Sequence, residues 1–177
     1  MTTASAGKKE VLVQIENVLK DVHKTVLHLT AEEMNTVPYK DSWTAAQVLV
    51  HLSKSANDLG QAMLAPAELT SRDPGERIAK FRRIFLDFNT KINAPEFIIP
   101  EEGLHRKESV LRNLDQSYEA FNKATALTDL REEVKGLPLG DVTKLELLHF
   151  VLYHTQRHLH QLQKICDAVL QSKKRHL

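Results

Sequence analysis

The sequence predicts an all-α fold, a four-helix bundle with an extra helix and loop between its second and third long helices. Three observations lead there. Apolar residues recur at three- and four-residue steps through most of the chain, helix-capping residues and prolines divide it into segments of bundle length, and no stretch carries a strand signal. At 177 residues, with 42% hydrophobic and 27% charged content, the chain suits one soluble globular domain with a single sizeable core.

Residues 1–7 read as a flexible start, 8–172 as the domain and 173–177 as a basic tail. Leu12, Ile15, Leu19, Val22, Val26 and Leu29 form the stripe of a first helix over 8–29. His23 and His28 lie five apart on it, about 140° around the axis, and cannot share a ligand. Pro38 marks a turn over 36–42. Thr44 with Gln47 is a capping-box pair that starts the second helix, which runs to about 65 with a stripe through Ala45, Val48, Leu49, Leu52 and Ala56. His51 stands at the border of that stripe, near Ser55 and Asp58 in angle. This is compatible with a cleft wall and with an ordinary half-exposed histidine.

Pro66 ends the second helix, and Asp73-Pro74-Gly75-Glu76 starts the extra one, whose stripe from Ile78 to Ile92 predicts a helix to about 93. The connector over 93–103 is long enough to point to a functional role. A further helix spans 106–127. Gly136–Thr143 reads as a tight loop, after which Asp141 or Thr143 caps a last helix running to about 172, with Lys173, Lys174 and Arg175 at its negative dipole end.

The last helix carries the chemistry. Glu146, His149, Tyr153, Arg157, His160 and Lys164 fall on one polar face, which is expected to be solvated. Leu148, Val151, Leu152, Leu159 and Leu162 lie opposite, and His154, His158 and Gln161 fall within that apolar arc. His154 and His158 are one turn apart, about 40° around the axis, so both reach the same point inside the protein. A buried imidazole without a partner costs roughly 1–3 kcal/mol. A shared metal ion supplies one partner for both, and hydrogen bonds to other core side chains are the alternative. So wide an apolar arc also points to a second copy of the chain, a homodimer.

Net charge is +1, which gives no case for nucleic acid or an anionic membrane. No apolar run reaches the ~18–20 residues that span a bilayer, and the N-terminus lacks a signal-peptide core, so a cytoplasmic location is expected. Lone Cys166 reads as a core residue.

Three segments resemble the DinB/YfiT-like superfamily: Trp43-Thr44-x-x-Gln47-Val48-Leu49-x-His51-Leu52, Pro138-x-Gly140-x-x-Thr143, and His154-x-x-x-His158-x-x-Gln161. Members of that family are four-helix bundles in which one histidine of the second helix and two of the last hold a divalent metal, commonly nickel or zinc. The resemblance implies His51, His154 and His158 as ligands. Many relatives have Glu where Gln47 stands, a difference in capping that leaves the ligands untouched.

Three imidazoles and an open coordination position are the arrangement of a catalytic site. The resemblance implies a metal-dependent enzyme of the hydrolase or thiol-transferase kind, with a small-molecule substrate and, in the transferase case, a low-molecular-weight thiol. Gln161 would then orient a ligand or substrate, Asp58 would act behind the ligands or as a base, and Tyr39 would line the pocket. Other metal readings fit less well. Thr155 stands where a zinc protease helix has Glu, and the two Glu-x-x-His pairs of a di-iron bundle fall on the polar face (Glu146, His149) and in a loop (Glu102, His105). The alternatives are a non-catalytic metal- or ligand-binding module and a plain structural bundle.

Overall fold

Among the described residues three Thr-x-x-Glu/Gln boxes start helices, because a threonine hydroxyl and a side chain three residues on can satisfy each other's free backbone N–H groups. Thr30 with Glu33 starts α2 (Ala31–Met34), Thr44 with Gln47 starts α3 (Ala45–Leu64), and Thr143 with Glu146 starts α6 (Lys144–Lys174). The remaining helices are α1 (Thr3–Val26), α4 (Ile78–Phe85) and α5 (Lys107–Ala126). The computed structural model describes residues 3–174, with side chains from 7 to 172. Of the expected flexible start, residues 3–7 lie in α1 and 1–2 fall outside the described residues; of the expected basic tail, 173–174 lie in α6 and 175–177 fall outside. Among the described residues no helix is long and apolar enough to cross a membrane.

The long helices α1, α3, α5 and α6 form the bundle. Its main contacts are α3 with α5, α1 with α6 and α3 with α6. Their directions follow from cross-links. Gly60 lies against the Phe121 backbone, and Thr128 donates to the Met63 carbonyl, so α3 and α5 run parallel. Lys144 reaches Ala65 while His154 meets His51, so α6 runs antiparallel to α3. His23 bonds Asp115 and Lys8 bonds the Thr128 carbonyl, so α1 runs antiparallel to α5. Two parallel neighbours cannot be joined by a short turn, and residues 65–106 supply the long crossover that joins them. Leu49, Leu52, Leu114, Phe121, Leu147, Leu148, Leu162 and Ile165 fill the core.

Several elements differ from expectation. The first helix ends at Val26, where Lys107 takes the Leu27 and Leu29 carbonyls and Thr30 begins α2. The extra helix is shorter at both ends. The Arg77 N–H goes to Glu146 rather than into a first turn. Beyond Phe85, the Asp87 carboxylate takes the Asn89 N–H and the Thr90 hydroxyl, closing a loop in place of another helical turn.

The predicted loop at 136–143 is a hairpin of β2 (Glu132–Leu137) and β3 (Gly140–Thr143) around Pro138 and Leu139, and β1 (Glu68–Leu69) pairs with β2. The order is β1-β2-β3, antiparallel throughout. Gly136 and Gly140 sit at φ 74° and 83°, a region that residues with a Cβ avoid. Val134 and Val142 close the sheet onto the core.

The polar face of α6 is not solvated as expected, because α4 and the loop after it pack on it. Glu146 is wholly buried and Tyr153 nearly so. Glu146 accepts from both terminal nitrogens of Arg72 (2.7 and 2.8 Å) and from the backbone of Arg77 (2.8 Å) and Thr143 (2.9 Å). Burial alone would raise its pKa, but these donors hold it below the ordinary carboxylate value. The apolar arc of α6 is covered within the chain by α1 and α3.

Arg72→Leu removes both guanidinium bonds and leaves a buried carboxylate undercompensated. We expect about 2–3 kcal/mol less stability in urea unfolding at pH 7. A loss under about 1 kcal/mol would show that the pair does not anchor α6 to the crossover.

Candidate metal centre

Burial on α3 aims His51 into the bundle, and the crossover aims its ring. A 3-10 turn at Glu96–Ile98 presents the Ile98 carbonyl, which accepts from His51 Nδ1 at 2.9 Å. The same stretch is stitched to α3 by Lys54, which donates to the Ile99 carbonyl (2.9 Å) and pairs with Glu101 (2.6 Å). On α6, His158 Nδ1 donates to Gln161 Oε1 at 2.8 Å. His154 lies between the other two, its Nε2 3.1 Å from the Nε2 of His51 and 3.1 Å from that of His158. One ligand atom from each ring lies within 4.8 Å of the others, and all three residues are buried.

These contacts decide where the protons are. A carbonyl oxygen can only accept, so His51 carries its proton on Nδ1, and the bond to Gln161 Oε1 places that of His158 likewise. A neutral imidazole has one N–H, so both Nε2 atoms present bare lone pairs to His154. His154 can donate one proton to one of them. At most one of the two 3.1 Å contacts is therefore a hydrogen bond, and the cluster has more lone pairs than protons to fill them. Burial is the largest influence on each ring and lowers all three pKa values. His158 falls to about 3, with His51 and Arg157 adding to the effect of burial. Neutral, convergent and proton-poor, the set fits a divalent cation such as zinc or nickel, and would leave coordination positions open.

The imidazoles open onto a cavity of about 1040 Å³. The Trp43 ring centre lies 5.0 Å from that of His51 and 6.5 Å from that of His158, and Phe150 stacks on His154 at 5.3 Å with Phe85 beside both. Tyr39 and Asp58 also line this cavity, both exposed. Burial raises the Asp58 carboxyl pKa, with Lys54 opposing. Trp43, Phe85 and Phe150 are site residues that periodicity did not pick out, although Trp43 stands next to the Thr44 cap in the motif already singled out. Glu146, bound to Arg72, faces away from any metal role. Cys166 is buried, its thiol pushed up to about 11 by burial and then by Asp167, as suits a core residue.

A family model described as the DinB superfamily matches residues 14–162. The uncharacterized protein YuaE of Bacillus subtilis (strain 168) is 24% identical over 144 residues, which span 80% of this chain and 88% of YuaE. Among solved structures, TT2238, a four-helix bundle protein, aligns with a TM-score of 0.59 at 17% identity, covering 89% of this chain and 98% of TT2238. YfiT from Bacillus subtilis, described as a probable metal-dependent hydrolase with an unusual four-helix bundle topology, aligns with a TM-score of 0.57 at 12% identity, covering 93% of this chain and 87% of YfiT. At such identities the two structures show a shared fold.

The depressed pKa of His158 makes metal-free stability depend on pH. Above pH 6.5 the ring is neutral in both folded and unfolded chains. Below it the unfolded chain takes up a proton that the fold refuses, so stability falls with pH until about 3. Between pH 7.5 and 5, urea unfolding in the presence of a chelator should show His158→Gln losing about 2 kcal/mol less than the parent. Equal losses would contradict a His158 ring kept neutral by its burial.

Proposed function

The chain belongs to the DinB superfamily, and on that premise we propose that it is a metal-dependent enzyme, a hydrolase or thiol transferase acting on a small molecule in the cytoplasm. The observation that carries the reading is the convergence of three neutral Nε2 atoms with two of the rings fixed from behind. The description of YfiT as a probable metal-dependent hydrolase supports the same class. His51, His154 and His158 would hold the ion, while the Ile98 carbonyl and Gln161 keep two of the rings turned toward it. A divalent ion held there would supply Lewis acidity, drawing the pKa of a bound water or thiol toward neutrality.

The chain's own residues account for the rest of the site. Three uncharged imidazoles would leave the charge of a bound divalent ion undiminished toward the reacting group. Phe150, Phe85 and Trp43 wall the imidazoles in, which limits water beside them. Asp58, with its raised pKa, stands on the cavity wall as a group able to exchange protons with a bound substrate.

Protein purified without an affinity tag should contain close to one nickel or zinc per chain by plasma mass spectrometry, and His154→Ala should contain almost none. The loaded protein should then turn over in screens of ester hydrolysis or of thiol transfer to electrophiles. No metal in the parent even after incubation with excess ion would overturn the proposal.

A further inference from the structure

The cavity over the imidazoles is far larger than an ion and its waters require. Its 1040 Å³ matches the upper end of small-molecule sites, which run to about 1,000 Å³. Its walls are aromatic at depth, and its mouth carries large apolar side chains beside the charged Lys40, Asp41, Lys91 and Lys164. Phe97 is 57% exposed, Tyr39 50%, Ile99 45% and Phe88 40%, and all four line this one opening. Single exposed apolar side chains are ordinary, but four large ones converging on one cavity mark a contact surface.

Polar groups of the α6 wall are already engaged, while Asp58 on the α3 side stays available to a substrate. Arg157 spends its guanidinium on the carbonyls of Phe85, Asp87 and Thr90, holding the loop that carries Phe88. Gln161 Oε1 is taken by His158, and the His160 ring stacks on Phe88 at 4.1 Å. A sugar or a multiply charged anion reaching the imidazoles would leave its polar groups dry.

We infer that the substrate is a largely apolar small molecule, aromatic or branched aliphatic, whose reacting group lies at the histidines and whose body lies on Trp43, Phe85, Phe150 and the Phe88–Phe97 mouth. This rests on the reading of the histidine cluster as the reaction centre, and it commits the apolar mouth to a small molecule rather than to a second copy of the chain.

The test is fluorescence titration of the full chain with N-phenyl-1-naphthylamine, a neutral apolar probe, together with metal content and sedimentation. Phe88 and Phe97 are exposed enough to replace without loss of fold, which circular dichroism checks. The parent should bind the probe saturably, Phe88→Ser with Phe97→Ser at least about tenfold more weakly, and His154→Ala should still bind it saturably. Metal loss in His154→Ala with saturable probe binding retained separates the apolar site from the metal site. No metal in the parent with saturable binding would overturn the reaction-centre reading alone. Absence of saturable binding in the parent, or equal affinity in the doubly substituted chain, would overturn the inference. So would a dimer that excludes the probe and dissociates on Phe97→Ser, because the mouth would then be an interface between copies.

Discussion

The parallel run of α3 and α5 is the constraint from which the site follows. Neighbouring helices that point the same way need a connection as long as the bundle, and residues 65–106 provide it. That crossover supplies α4 to cover the polar face of α6, a loop to wall the cavity, and the 3-10 turn whose Ile98 carbonyl orients His51. An up-down bundle with short turns would leave His51 without that acceptor. The crossover is in turn fixed to α6 at both ends of the site. Arg72 grips buried Glu146 at the start of the helix, and Arg157 caps the end of α4 three turns beyond.

Orientation turns three core histidines into a set of donors. Unoriented imidazoles can pair their N–H groups and lone pairs and satisfy one another. Here the backbone and Gln161 take the Nδ1 protons of two rings, so lone pairs outnumber protons where the three Nε2 atoms meet. The aromatic walls keep the rings uncharged, and the same walls shape the space above them. Electrostatics of the cluster and apolarity of the cavity thus come from the same residues.

Much of this was legible in the sequence where local pattern decides. Thr44 and Gln47 marked the start of α3, and the spacing of His154 and His158 within an apolar arc placed them inside. His51 was ambiguous by periodicity, and only the family resemblance singled it out, because its burial comes from a connector 47 residues away in sequence. Glu146 read as solvated because its partner Arg72 is equally invisible to a local pattern. The stripe through Phe88 and Ile92 looked helical, yet those side chains belong to a loop held by Arg157. The hairpin escaped notice because β2 buries only Val134, too little for an alternating signal. Tyr39 and Asp58 were placed near the site on weaker grounds, and both line its cavity at exposed positions.

The central claim is that the three Nε2 atoms share one cation. Crystals grown with one equivalent of zinc or nickel, measured at that metal's absorption edge, test it directly. The account predicts a single anomalous peak about 2.0–2.2 Å from the Nε2 of His51, His154 and His158, with the Nδ1 bonds to Ile98 and Gln161 intact. A peak at other histidines, or none at the cluster, would contradict it.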